Sequence, residues 1–234
     1  MTKEEFIIEV SKLGINLTET MLCQLEEYYK LMIEYNNKVN LTRIVVQEEV
    51  YLKHFYDSLT ICKEQDLTKA LNLCDVGTGA GLPGIVLKIV FPNLKIVLIE
   101  ALEKRVKFLN LVIKALNLKD IVAIHARMED YASQNVEKFD LIISRAVAKT
   151  SILLEMAVRA LKKDGQIILY KAEINEELDH LEILEKELGL KLINKEEFYL
   201  PKENSKRTLL NFKKVKPTSS KYPRPFAKIK NNPL

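Results

Sequence analysis

The stretch Leu71-Asn-Leu-Cys-Asp-Val-Gly-Thr-Gly-Ala-Gly-Leu-Pro-Gly84 decides the reading of this chain. A short apolar run ends in an acid, Asp75, and then breaks into four glycines within eight residues. An amphipathic apolar stretch starts at once with Ile85-Val-Leu. The pattern predicts a buried strand, a tight turn and a helix start, the first unit of a doubly wound α/β sheet. Glycines suit such a turn because the backbone takes positive φ and lies close to a ligand with no Cβ in the way. Pro83 fits the first helical turn, where its missing N–H costs nothing.

Two glycine registers name two ligands. Gly79, Gly81 and Gly84 satisfy the dinucleotide fingerprint G-x-G-x-x-G, with Glu100 about twenty residues on. The other register, Asp75-Val-Gly77-Thr-Gly79-Ala-Gly81, resembles motif I of the class I S-adenosylmethionine (AdoMet) methyltransferases. A pyrophosphate is an anion that seeks bare helix N–H groups, and a carboxylate beside it repels it. AdoMet carries a sulfonium and an ammonium, which a carboxylate attracts, so Asp75 favours AdoMet. A nicotinamide-dependent oxidoreductase stays open as the rival.

Strands are predicted over 95–100, 121–125, 139–144 and 166–171, with a closing antiparallel pair over 191–200 and 208–213. Apolar residues recur at helical steps between them, as in Val106, Leu109, Ile113 and Leu116. Gly165 and Gly189 fall where helix C-caps are expected. Seven strands with a final pair match the methyltransferase sheet rather than the six-stranded dinucleotide one. The expected fold is therefore α/β: a seven-stranded doubly wound, Rossmann-like class I AdoMet-dependent methyltransferase sheet. An N-terminal helical extension (residues 1–66) precedes the methyltransferase domain (67–214), and a basic tail (215–234) follows. In the extension, Asn16 or Thr18 can cap a helix whose buried face is Leu22, Leu25, Tyr29 and Met32.

The net charge of +4 is uneven. From Pro201 onward ten Lys and Arg face one acid, Glu203, so the remainder is net acidic. In Lys221-Tyr-Pro-Arg-Pro-Phe226 cations alternate with rings, which suits a segment holding phosphates and stacking on RNA bases, although charge runs are commonly solvated surface. Cys23, Cys62 and Cys74 form no C-x-x-C pair and read as reduced thiols. The three histidines have no metal-ligand spacing, so no metal is expected. No leader and no membrane-length apolar run is seen, so a cytoplasmic location and no membrane partner are expected. A monomer is expected.

Read together, the motifs resemble the RsmG (GidB) family of bacterial 16S rRNA guanine-N7 methyltransferases. The matching pieces are Asn36–Thr42 with its Asn-Leu-Thr, His54 with Asp57-Ser58-Leu59, and Asp75–Gly84. Further on come Glu100 with Lys104-Arg105, Arg127 with Glu129, Ser144-Arg145-Ala146, Tyr170-Lys171 and Lys221-Tyr-Pro-Arg224. Two positions depart from the family: Tyr35 stands where Trp is common, and Ala172 where Gly follows Tyr-Lys. The resemblance implies cofactor contacts at Gly77, Leu82, Met128, Glu129 and Arg145, in addition to Asp75, Gly79, Gly81 and Glu100 from the motif. Glu100, ending a strand at the carboxyl edge, suits ribose hydroxyls. Met128 suits the adenine face. Arg145 leaves its strand over the cofactor, with a structural ion pair as its rival role. The resemblance further implies RNA contacts at Asn40 and His54 and, in the tail, at Lys221, Tyr222 and Arg224.

The implied reaction moves the methyl of AdoMet to N7 of a guanosine in the 530 loop of 16S rRNA, within or near a small ribosomal subunit, leaving S-adenosylhomocysteine. What is missing agrees. Asp/Asn-Pro-Pro-aromatic, used on exocyclic amines, is replaced by Ser144-Arg-Ala-Val, and no cysteine nucleophile for a pyrimidine carbon follows that strand. Guanine N7 has a free lone pair and no proton to lose, so no general base is needed. Arg145 and Lys171 are therefore expected to orient the base or its phosphates. Alternatives left open are an RNA-binding assembly factor of the same fold and a class I methyltransferase with another substrate.

Overall fold

The computed structural model describes residues 1–145, 147–172 and 174–234, with the side chains of Asn175 and Glu176 also left aside. Ala146 of the Ser-Arg-Ala motif therefore lies outside the described residues. The sheet has seven strands in the order β3-β2-β1-β4-β5-β7-β6. They are β1 (Asn72–Val76), β2 (Lys95–Glu100), β3 (Ile121–His125), β4 (Phe139–Arg145), β5 (Leu161–Lys171), β6 (Leu190–Tyr199) and β7 (Lys206–Lys214). The first five pair in parallel, and β7 runs antiparallel between β5 and β6. Strand order reverses between β1 and β4, and in such sheets the crevice beyond the carboxyl ends at that point holds the ligand.

The helices are α1 (Lys3–Ser11), α2 (Glu19–Asn36), α3 (Gln47–Val50), α4 (Asp57–Leu59), α5 (Gly84–Val90), α6 (Glu103–Ala115), α7 (Met128–Gln134), α8 (Thr150–Ala157), α9 (Leu181–Leu188) and α10 (Phe226–Asn231). Between α3 and α4 a π-helical turn, Tyr51–Tyr56, keeps the helix continuous, and such turns often mark functional places. Side chains alternate along each strand and build two cores. Leu73, Leu98, Leu141 and Ile143 pack with α1, α2, the 47–63 helical segment and α5, while Cys74, Ile99, Ile142 and Leu169 pack with α7, α8 and α9.

Local chemistry sets several ends. Thr18 caps α2 by accepting from the Met21 N–H (3.3 Å), and Gly189 ends α9 at φ +71°. Other expectations shift. The buried face of α2 is Leu25, Tyr28 and Met32, so the buried tyrosine is Tyr28 rather than Tyr29. The reason is tertiary: the Tyr28 hydroxyl donates to the Ala80 carbonyl (2.5 Å) inside the glycine turn. Gly165 caps no helix. It lies within β5 beside Asp164 (φ +63°), where the β4–β5 register slips. Pro83 sits just ahead of α5, not in its first turn.

Candidate active site

Asp75 organises the glycine turn from behind. Its Oδ2 accepts from the Thr78 hydroxyl (2.6 Å) and the Gly84 N–H (2.8 Å), which ties the strand end to the first residue of α5. Gly84 has no room for a side chain, since a Cβ there would lie 2.4 Å from Leu98 and 2.8 Å from Asp75 Oδ2. Asp75 is fully buried and its other oxygen has no partner. Burial pushes its carboxyl up to about 6, with the Thr78 and Gly84 hydrogen bonds pulling the other way. The expectation that this acid faces the cofactor's cations is corrected: it does not line the cleft, and it acts by shaping the turn.

The cleft itself, about 320 Å³, opens where the strand order reverses. Its walls include Gly77 from the turn, Ala101 after β2, Met128 and Glu129 at the start of α7, and Val147 beyond β4. Gly77 must be glycine: its φ is +66°, and a Cβ would come within 2.5 Å of Val147 Cγ2 across the cleft. Glu129 is buried and both of its carboxylate oxygens lack partners, so burial raises its pKa. Unpartnered buried acceptors are costly, and the residue that carries them lines the cleft. Hydrogen-bond donors such as an adenine amino group or ribose hydroxyls would satisfy them. A glycine, a methionine and an unpartnered carboxylate thus fit AdoMet.

Other expected cofactor residues stand around this cleft rather than in it. Glu100 holds the turn to β2: its oxygens accept from the Gly79 N–H (3.0 Å) and the Leu102 N–H (2.9 Å). Each oxygen keeps a lone pair for a ribose hydroxyl. Gly81 (φ +96°) packs against Ile85 and the Tyr28 hydroxyl, and Leu82 is buried outside the lining.

Arg145 and Lys171 are not side by side: they leave the sheet on opposite faces. Arg145 is in register with Tyr170, so Lys171, one residue further, points to the opposite face of the sheet. Arg145 reaches the helical extension, donating to Asp57 Oδ2 and to the Lys53 carbonyl, both at 3.1 Å. Asp57 is clamped from its other side by Arg207 Nε (3.1 Å). Sequence reasoning missed Asp57 as the hinge of this network, although it lies in a quoted motif. Lys171 donates to the Ala148 carbonyl (2.8 Å) and to Glu177 Oε2 (2.7 Å), an oxygen that also accepts from Thr150.

The expected RNA contacts divide. Asn40 is exposed and lines a separate polar pocket of about 530 Å³ with Arg43 and Arg105. His54 is buried and within 2.9 Å of the Thr42 hydroxyl. Burial and then the Arg145 charge depress its pKa from 6.5 to about 4. A neutral buried imidazole is no phosphate contact, so that role is withdrawn. Because the folded-state pKa lies below the unfolded one, the unfolded chain binds the proton first. The contribution of His54 to stability is complete above pH 6.5 and declines as pH falls toward 4. In an NMR titration the His54 ring is expected not to titrate above about pH 5. A midpoint near 6.5 would show that the ring is solvated.

The tail departs furthest from expectation. Tyr222 is 3% exposed, and its hydroxyl donates to Glu187 Oε2 (2.8 Å). Arg224 makes a bidentate pair with Glu155, 2.7 Å on each side, and Glu155 is completely buried. Lys221 pairs with Glu187 at 2.6 Å. Tyr222 and Arg224 are structural anchors, not free RNA-contacting groups, because the carboxylates of Glu155 on α8 and Glu187 on α9 claim their polar atoms. Phe226 and Lys230, which sequence reasoning did not place there, line the cofactor cleft.

No cluster of three or more metal-ligating side chains occurs among the described residues. No helix among them is long and apolar enough to cross a membrane. The family model described as "rRNA small subunit methyltransferase G" matches residues 21–209. A curated relative, "Ribosomal RNA small subunit methyltransferase G" from Lachnoclostridium phytofermentans, is 45% identical over 232 residues, covering 98% of this chain and 96% of the relative. Among solved structures, a methyltransferase from Pyrococcus furiosus superposes with a TM-score of 0.55 at 16% identity, over 80% of this chain and 95% of that one. TYW2 from M. jannaschii, solved in complex with AdoMet, gives a TM-score of 0.51 at 22% identity, over 63% and 70% of the two chains. The fold is that of the class I AdoMet-dependent methyltransferases, and the chain belongs to the rRNA small subunit methyltransferase G family.

Proposed function

We propose that this enzyme transfers the methyl group of AdoMet to N7 of a guanosine in the 530 loop of 16S rRNA, acting as a monomer without a metal. The observation that carries this reading is that the carboxylates at the carboxyl edges of β4 and β5 are already engaged: Asp57 accepts from Arg145 and Arg207, and Glu177 from Lys171 and Thr150. Arg145 is a donor only. Lys171, ion-paired with Glu177 and donating to Ala148, has no lone pair to offer. Cys74 lies inside β1, and Cys23 and Cys62 belong to the helical extension, so no thiol is placed at these edges as a nucleophile. N7 methylation needs neither base nor nucleophile, only a purine held in line with the methyl donor. AdoMet supplies the electrophilic methyl when bound. Gly77, Met128 and Glu129 hold it, and Arg145 and Lys171 flank the sheet edge as donors for a guanine carbonyl or for phosphates.

RNA contact is better supported at the Asn40–Arg43–Arg105 pocket than at the tail. Arg105 has a buried Nε without a partner there, and its Nη1 lies 3.6 Å from Glu100, which links this pocket to the cofactor side. Methyl transfer from labelled AdoMet to small subunits lacking the modification tests the proposal, with 7-methylguanosine mapped by chain cleavage. A single stop in the 530 loop is expected. RNA that takes up no label, despite AdoMet binding, overturns the substrate. Arg145→Ala and Lys171→Ala are each expected to lower the transfer rate at least about tenfold, the scale of one lost charge-assisted contact. Full rates in both would refute catalysis by positioning.

A further inference from the structure

The C-terminal segment is anchored at three points. Tyr222 is bonded to Glu187, Arg224 to Glu155, and Ile229 is fully buried. These anchors seat α10 on α8 and place Phe226 in the wall of the cleft, on the side formed with Ile152 and Met156. The Arg127 guanidinium lies 4.8 Å from the Phe226 ring centroid, and Arg127 immediately precedes Met128 and Glu129. The ring therefore bridges α10 to the start of α7, where the cleft's unpartnered carboxylate is found.

We propose that Phe226 is a cofactor-binding residue, and that the segment from Tyr222 to Asn231 forms a wall of the AdoMet site rather than an arm for RNA. The inference rests on the reading that this cleft holds AdoMet. A half-buried aromatic ring beside two methionines offers the flat apolar surface that a purine prefers, and a few polar groups then fix its orientation. Removal of α10 would leave Ile152 and Met156 open to water on that side. The basic residues of the segment fit the same role: Lys221 and Arg224 serve as latches on α9 and α8.

Calorimetric binding of AdoMet and S-adenosylhomocysteine to the full-length chain tests this. The variants are Phe226→Ala, Phe226→Tyr and, as a probe of the cleft itself, Met128→Ala, each with thermal unfolding of the unliganded protein. Phe226→Ala is expected to weaken both ligands about tenfold, given the worth of an aromatic contact plus its burial. Phe226→Tyr is expected to stay within about threefold of the parent. The KM for AdoMet should rise while that for RNA holds. If Phe226→Ala binds AdoMet like the parent while Met128→Ala is weakened, the cleft reading stands and the wall falls. If neither variant is weakened, the cleft reading falls and takes the inference with it. If Phe226→Ala raises the RNA KM alone, the tail is an RNA arm and the inference is overturned. Should Phe226→Ala fail to fold, Phe226→Leu keeps most of the apolar volume and is expected to weaken AdoMet about threefold.

Discussion

Replacing Arg224 with alanine is expected to destabilise the folded chain by about 3–5 kcal/mol, the cost of leaving a buried carboxylate without its partner. Glu155 is completely buried, and both of its oxygens are engaged by the Arg224 guanidinium. In the variant only the residue-224 backbone N–H, at 3.2 Å, would remain on Glu155. At roughly 2–4 °C per kcal/mol for a chain of this size, the melting temperature should fall by about 10 °C. Removal of both charges, as in Glu155→Leu with Arg224→Met, is expected to recover most of the loss, because a buried pair replaced by apolar side chains of similar size costs little. A single variant that melts within 2 °C of the parent, a shift of roughly 1 kcal/mol or less, would show that the tail is not docked in solution.

The second large effect concerns the glycine turn. Gly77→Ala is expected to weaken AdoMet at least tenfold and to lower stability by about 1–2 kcal/mol, the usual cost of a left-handed backbone for a residue with a Cβ. The binding loss has a separate cause. The new methyl would lie 2.5 Å from Val147 Cγ2, in the space between two walls of the cleft. Val147→Ala in the same chain should relieve that clash but not the φ of +66°. The double variant is therefore expected to regain affinity while keeping its lower melting temperature. Recovery of neither, with calorimetry and melting measured side by side, would mean that the methyl acts elsewhere than across the cleft.

The parallel strands were legible because each is an apolar run bounded by turn residues, and the central ones, β1 and β4, are buried along most of their length. The core of the cofactor site was legible for a related reason. A turn that must carry positive φ and close backbone approach leaves glycine as the workable residue, so Gly77 and its neighbours announce themselves locally. Met128 and Glu129 were reached only through resemblance, since nothing in a short polar stretch says that it borders a cavity. His54 was expected to contact RNA, and its burial against Thr42 and beside the Arg145 charge keeps it a neutral ring. Arg145 and Lys171 were both expected to orient the base or its phosphates, and nothing in the sequence told which face of the sheet each takes. Their register with Tyr170 puts them on opposite faces.

The tail shows most clearly where local reading stops. Its charge and aromatic content suggest a solvated arm, yet Glu155 and Glu187, which engage its polar side chains, lie 69 and 35 residues away. The order of strands and helices, the glycine turn and the lack of an Asp/Asn-Pro-Pro motif or a cysteine after β4 were all determined by the sequence itself. Such features arise from backbone preferences and periodic burial, which act over a few residues. Which charges find a partner, which acid is left without one and which ring lines the cleft were decided only by the tertiary structure. Burial and pairing between distant segments determine whether a polar group meets water, a partner or an empty cavity, and no local pattern records that outcome.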